Sequence, residues 1–110
     1  MRITSELFVS QLMRRVFNDG GFAAVERKGA ESAGAIYIVT RDRLGQVTLY
    51  APAFQSLVEE SGTRAFVREA QTEEVEFRAR FEREARFDPD FWLVEIETSE
   101  PEKYLEILEA

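Results

Sequence analysis

The sequence predicts an α+β domain: an antiparallel sheet of four to five strands with two or three helices packed against it, in the order α-β-β-β-(β)-α-β-α. Three observations carry this expectation. Apolar residues recur at helical spacing from Ser5 to Phe17, and short alternating segments bounded by glycine and proline follow between Phe22 and Tyr50. A densely charged segment after Thr72 then runs to Pro89, beyond which Phe91 to Glu97 alternates once more. At 110 residues, the whole of 1–110 is expected to form a single compact domain with enough apolar area for its own core.

Phe8, Val9, Leu12, Met13, Val16 and Phe17 form the stripe of the first helix. Thr4 or Ser5 is its expected cap, and Asn18-Asp19-Gly20-Gly21 ends it, because glycine readily enters the left-handed region that closes helices. Phe22 to Lys28 reads as a first strand, Gly29 to Gly34 as a loop and Ala35 to Arg41 as a second strand. Both faces of the second strand are largely apolar, Ala35, Tyr37 and Val39 on one and Ile36, Ile38 and Thr40 on the other, so it is expected at the centre of the sheet. Asp42 to Gly45 turns the chain into Gln46 to Tyr50, which Pro52 stops for want of an N–H to donate. Gln55 to Gly62 reads as either a helical turn or a loop, and Arg64 to Glu69 as a fourth strand around Phe66.

After Thr72, the expected N-cap, Val75, Phe77, Ala79 and Phe81 alternate as a strand would. The charges decide for a helix. Glu74 with Arg78, Glu76 with Arg80 and Glu82 with Arg86 stand acid-before-base at i,i+4, each pair stabilising a helix by about 0.2 to 0.5 kcal/mol. Pro89 ends that helix, since the residue before a proline avoids the helical region. The strand that follows carries Trp92, Val94 and Ile96 on one face and Phe91, Leu93, Glu95 and Glu97 on the other. Ser99 and Glu102 are spaced as a capping box, so a C-terminal helix with Tyr104, Leu105 and Leu108 on its apolar face is expected.

Composition excludes whole classes of chemistry. The chain has no histidine and no cysteine, which removes Ser-His-Asp and Cys-His triads and the usual zinc ligands. A net charge of -7 argues against broad nucleic-acid contact, which depends on neutralising phosphates. No segment approaches the ~20 apolar residues of a membrane span, and a cytoplasmic protein without cofactor is expected. The charge is uneven: residues 1–55 carry seven Lys/Arg against five Asp/Glu, whereas residues 56–110 carry seven against sixteen. Such asymmetry can steer self-association, although solvated helix faces are the simpler home for the acid.

Asp88, Asp90 and Glu95, with Glu97 beside them, are the candidate ligands of a divalent cation, because hard cations need clustered oxygens. The competing role for Asp88 and Asp90 is to bond backbone N–H groups of a turn. Arg14, Arg15, Arg27 and Lys28 are candidate contacts to an anion or a partner, and Arg27, Lys28, Arg41 and Arg43 fall near strand ends as a weak basic rim. Trp92 belongs either to the core or to a ligand pocket, and Tyr37 or Tyr50 can serve as an acid only where its pKa is lowered.

Gly21-Phe22-Ala23, Lys28-Gly29, Ala33-Gly34-Ala35-Ile36 and Leu49-Tyr50-Ala51-Pro52-Ala53 join a more specific block, Arg86-Phe87-Asp88-Pro89-Asp90 with Trp92-Leu93-Val94-Glu95-Ile96-Glu97. Together they resemble a family of small uncharacterised bacterial proteins, domain of unknown function 1491, over nearly the whole chain. Ala51 departs from the resemblance, standing where a glycine is expected. The resemblance implies a stand-alone domain with no catalytic residue or cofactor to carry over. The expected function is therefore a non-catalytic protein-interaction or regulatory module, as a homodimer or with a protein partner. The alternative is a metal-dependent hydrolase or small-ligand-binding protein using Asp88, Asp90 and Glu95.

Overall fold

The computed structural model describes residues 3–53 and 64–108. Gln55 to Gly62, read as turn or loop, lies outside the described residues. Helix α1 spans Ser5–Asn18, and its cap is Thr4, whose Oγ1 accepts the Leu7 N–H at 3.1 Å. Val9, Leu12 and Val16 are its buried stripe, and the chain leaves it through Gly20 at φ 85°. Strands β1 (Phe22–Arg27), β2 (Ala35–Arg41), β3 (Gln46–Pro52) and β4 (Ala65–Arg68) follow, with Gly45 at φ 81° in the β2–β3 turn. A short β5 (Thr72–Glu73), helix α2 (Glu74–Phe87), β6 (Phe91–Glu97), a 3-10 turn (Pro101–Lys103) and β7 (Glu106–Leu108) complete the fold.

The sheet has seven strands and is mixed, which corrects the antiparallel expectation of four to five. Its order is β1-β6-β2-β3-β4-β7, with β5 pairing to β3. β6 inserts between β1 and β2, antiparallel to the first and parallel to the second. The reason lies in its side chains: Phe91 and Leu93 on one face and Trp92, Val94 and Ile96 on the other are all buried, and only an interior strand covers both faces. The second strand is central as expected, with neighbours on both sides.

Each face of the sheet carries one helix. On the first, Val9, Leu12 and Val16 of α1 pack with Ile36, Ile38, Trp92, Val94 and Ile96. On the second, Phe77 and Phe81 of α2 pack with Val39, Val47, Leu49, Phe91 and Leu93, while Tyr37 meets Phe81 and Phe91 edge-on at ring-centroid distances of 5.2 and 5.7 Å. The periods of α1 and α2 thus define opposite layers. None of the described helices is long and apolar enough to cross a membrane.

Three local expectations are corrected. Thr72 does not cap α2: it lies in β5, and the flanking residue is Glu73, whose side chain makes no capping bond. Its hydroxyl instead donates to Glu76 at 2.8 Å. Of the three expected pairs along α2 only Glu74 with Arg78 forms, at 3.0 Å, because Arg80 turns to Glu69 and Glu84. The C-terminal helix is replaced by the 3-10 turn and β7, which pairs parallel with β4. A helix of that length is marginal in water, whereas Leu105 and Ile107 gain burial by following the sheet.

A packing constraint surrounds Gly29. A Cβ there would fall 2.8 Å from the backbone carbon of Phe91 and 2.8 Å from Cδ1 of Trp92. Gly29→Ala is therefore expected to lose about 1 to 3 kcal/mol of stability in a urea titration. An unchanged midpoint would show that this corner yields without cost.

Candidate functional site

The Asp88-Pro89-Asp90 turn joins α2 to β6 and holds the loop after β1. Oδ1 of Asp88 accepts the Asp90 N–H at 3.1 Å, and Oδ1 of Asp90 accepts the Ala30 N–H at 2.6 Å. Two positions on, the Trp92 indole N–H donates to the carbonyl of Ala30 at 2.9 Å. Ala30 is thus gripped on both its polar groups. Trp92 itself is 3% exposed and lies in the α1-side core. The structure does not bring the three candidate metal ligands together: Asp88 and Asp90 serve backbone donors, and Glu95 bonds Arg41 from the far half of β6. Among the described residues no group of three or more metal-ligating side chains is assembled.

Beside α2 lies a cleft of about 390 Å³ with a floor of Phe77, Phe81, Phe91 and Leu93 and a rim that includes Glu26, Arg27, Arg41, Arg78 and Glu82. A β-bulge builds its outer wall. Val25 pairs with Val94 and Arg27 with Leu93, so Glu26 is the extra residue, and both it and Arg27 line the cleft. Arg27 lies over the Phe91 ring at 4.6 Å and donates to the carbonyl of Pro89 at 2.8 Å.

Arg41 is the electrostatic centre of this face. Its guanidinium bonds Glu26 at 2.6 Å, Glu74 at 2.7 Å and Glu95 at 2.9 Å, and stacks over Phe77 at 5.4 Å. The bonds to Glu26 and Glu74 are the largest reasons its pKa is raised, and the bond to Arg41 holds the Glu74 carboxyl below its ordinary value of 4.5. Arg41 is therefore enclosed by acid, not part of a basic rim. Glu95 is half-buried through the same contact. Burial, then the charge of Glu84, raises the Tyr37 pKa, the wrong direction for a general acid near neutrality.

The four candidate cations engage different elements. Arg15 bonds the carbonyls of Lys103 and Tyr104 at 2.9 and 3.4 Å, Lys28 approaches Glu6 and Glu31 at 3.8 Å each, Arg27 serves the Pro89 turn, and Arg14 is exposed on α1. The acid surplus is also placed differently from expectation. Helix α2 holds four Glu against four Arg, whereas residues 88–110 hold eight carboxylates against Lys103 alone.

The feature that sequence reading missed is the outer edge of β1. Among the described residues β1 pairs only with β6, and Phe17, Phe22 and Val25 along that edge remain 48%, 46% and 41% exposed. Phe17 and Phe22 meet edge-on at 6.1 Å. The signal was present in Phe22-Ala23-Ala24-Val25, an uncharged strand beginning beside an apolar helix end, but its meaning depended on which strand became the edge.

Fold and site define an α+β chain with a helix on each face of a mixed sheet and, beside the second helix, a cleft centred on Arg41 and its glutamates. The chain belongs to the family described as Protein of unknown function (DUF1491), whose model matches residues 3–106. It is similar to protein Atu0922 from A. tumefaciens, whose solution structure is 50% identical with a TM-score of 0.84, covering 100% of this chain and 98% of that one. A DUF1491 family protein from Caulobacter crescentus CB15 is 33% identical; its crystal structure gives a TM-score of 0.76 over 98% of this chain and 99% of that one. An NMR structure of a DUF1491 family protein from the same organism is also 33% identical, with a TM-score of 0.75 over 98% of both chains. No curated protein matches.

Proposed function

We propose that this domain is a non-catalytic interaction module that receives a partner strand along β1. One observation carries the reading: among the described residues the outer edge of β1 has no strand partner, and it runs beside three partly exposed apolar side chains, the arrangement used in strand addition. The cleft supports it in a second way. Its Arg41 is saturated by three glutamates, which suits shaping and ordering of the surface more than proton transfer or nucleophilic attack. The same proposal includes a cytoplasmic setting, in keeping with a chain that holds no cysteine.

The test immobilises the protein and passes over it a cell extract to which an untagged copy of the same chain has been added. The expected result is retention of a defined protein, its own copy included, that Val25→Lys abolishes, because a lysine on an open edge opposes strand pairing. Retention of nothing, or retention indifferent to Val25→Lys, would overturn the reading.

A further inference from the structure

We propose that the strand received by β1 is the β1 of a second copy, antiparallel about a two-fold axis at Ala23; this rests on the reading of the β1 edge given above. The register follows from the bulge and the side chains. Regular pairing of β1 runs only from Phe22 to Val25 before Glu26 bulges, and Gly21 directly precedes it. An axis at Ala23 sets Ala23 opposite its own counterpart, Phe22 opposite Ala24 and Val25 opposite Gly21, so that every pair is uncharged and each large side chain faces a small one. An axis one residue further along would instead oppose Phe22 to Glu26 inside the bulge.

Charge favours the same arrangement. Residues 21–25, which form the ladder, carry no charged side chain, so two chains of -7 meet there without like charges directly opposed. The opposite edge offers no equivalent: β7 is three residues long and carries Glu106. A ladder this short is a small interface beside the about 800 Å² per partner of a standard complex, so association is expected to be reversible and dependent on concentration.

Sedimentation velocity between about 10 μM and 1 mM should show a monomer passing toward a dimer, the range in which a small interface populates both states. Val25→Lys, and separately Phe22→Lys, should weaken the association at least tenfold, about 1.4 kcal/mol, with Trp92 emission and the melting transition confirming the fold. Leu44→Lys, at a hairpin tip 86% exposed, should leave it unchanged. Amide exchange at Phe22–Val25 should slow as concentration rises. A concentration-independent monomer, association untouched by both edge variants, or equal loss in Leu44→Lys would each overturn the proposal. If the monomer nevertheless retains another protein from extract in a Val25-dependent way, the second copy is refuted while the interaction module stands.

Discussion

Trp92→Ala is expected to cost about 3 to 5 kcal/mol, a large fraction of the stability of a domain of this size. The side chain is 3% exposed, packs with the α1-side core and fixes the loop after β1 through its N–H bond to Ala30. Two effects therefore add: the cavity left by the indole, and the release of a loop whose other anchor is Asp90. Trp92→Phe separates them, since it keeps most of the apolar volume and loses only the hydrogen bond, for an expected cost of about 1 kcal/mol. Urea denaturation followed by far-ultraviolet circular dichroism measures both. A loss below about 1 kcal/mol in the alanine variant would mean that the indole is not a core element.

The second large effect belongs to Arg41. Replacing it by methionine leaves Glu26, Glu74 and Glu95 facing one another without their shared cation, at an expected cost of about 2 to 3 kcal/mol near neutral pH, less than for a fully buried pair because solvent reaches the cluster. The pH dependence gives a sharper signature. In the wild type the folded pKa of Glu74 is lowered, so its contribution is complete above the ordinary value of 4.5 and is lost as pH falls through the lower folded value. In Arg41→Met the cation that lowers the Glu74 pKa is gone, so the variant lacks the stability that this pairing supplies above 4.5. The difference between the two proteins should hold from pH 7 down to the ordinary value of 4.5 and shrink as pH falls below it. A difference that stays constant below pH 4.5 as well would show that Arg41 acts by packing on Phe77 alone.

Most strand segments of the sheet and both helices were legible in the chain because their signals are local. The stripe of α1, the Asp42–Gly45 turn, the break at Pro89 and the alternating faces of Phe91 to Glu97 all depend on neighbours within a few residues. The C-terminal segment was misread for the same reason: its capping-box spacing favours a helix locally, yet the open edge of β4 and the burial of Leu105 prevailed. The Arg41 cluster was illegible because its members, at positions 26, 41, 74 and 95, meet only once β6 lies between β1 and β2.

Residue order and composition alone establish which segments are apolar on both faces, where the chain turns, and that histidine and cysteine chemistry is absent. They also mark Arg86 to Glu97 as a joint, since a charged helix there gives way at proline to a strand with a tryptophan. Strand order in space places this strand inside the sheet, makes the carboxylates of the joint turn anchors and an arginine partner, and, among the described strands, leaves β1 at an edge. The physical reason is that strand order is a long-range choice. It is set by which arrangement buries both faces of β6 at once, a quantity that no window of neighbouring residues contains.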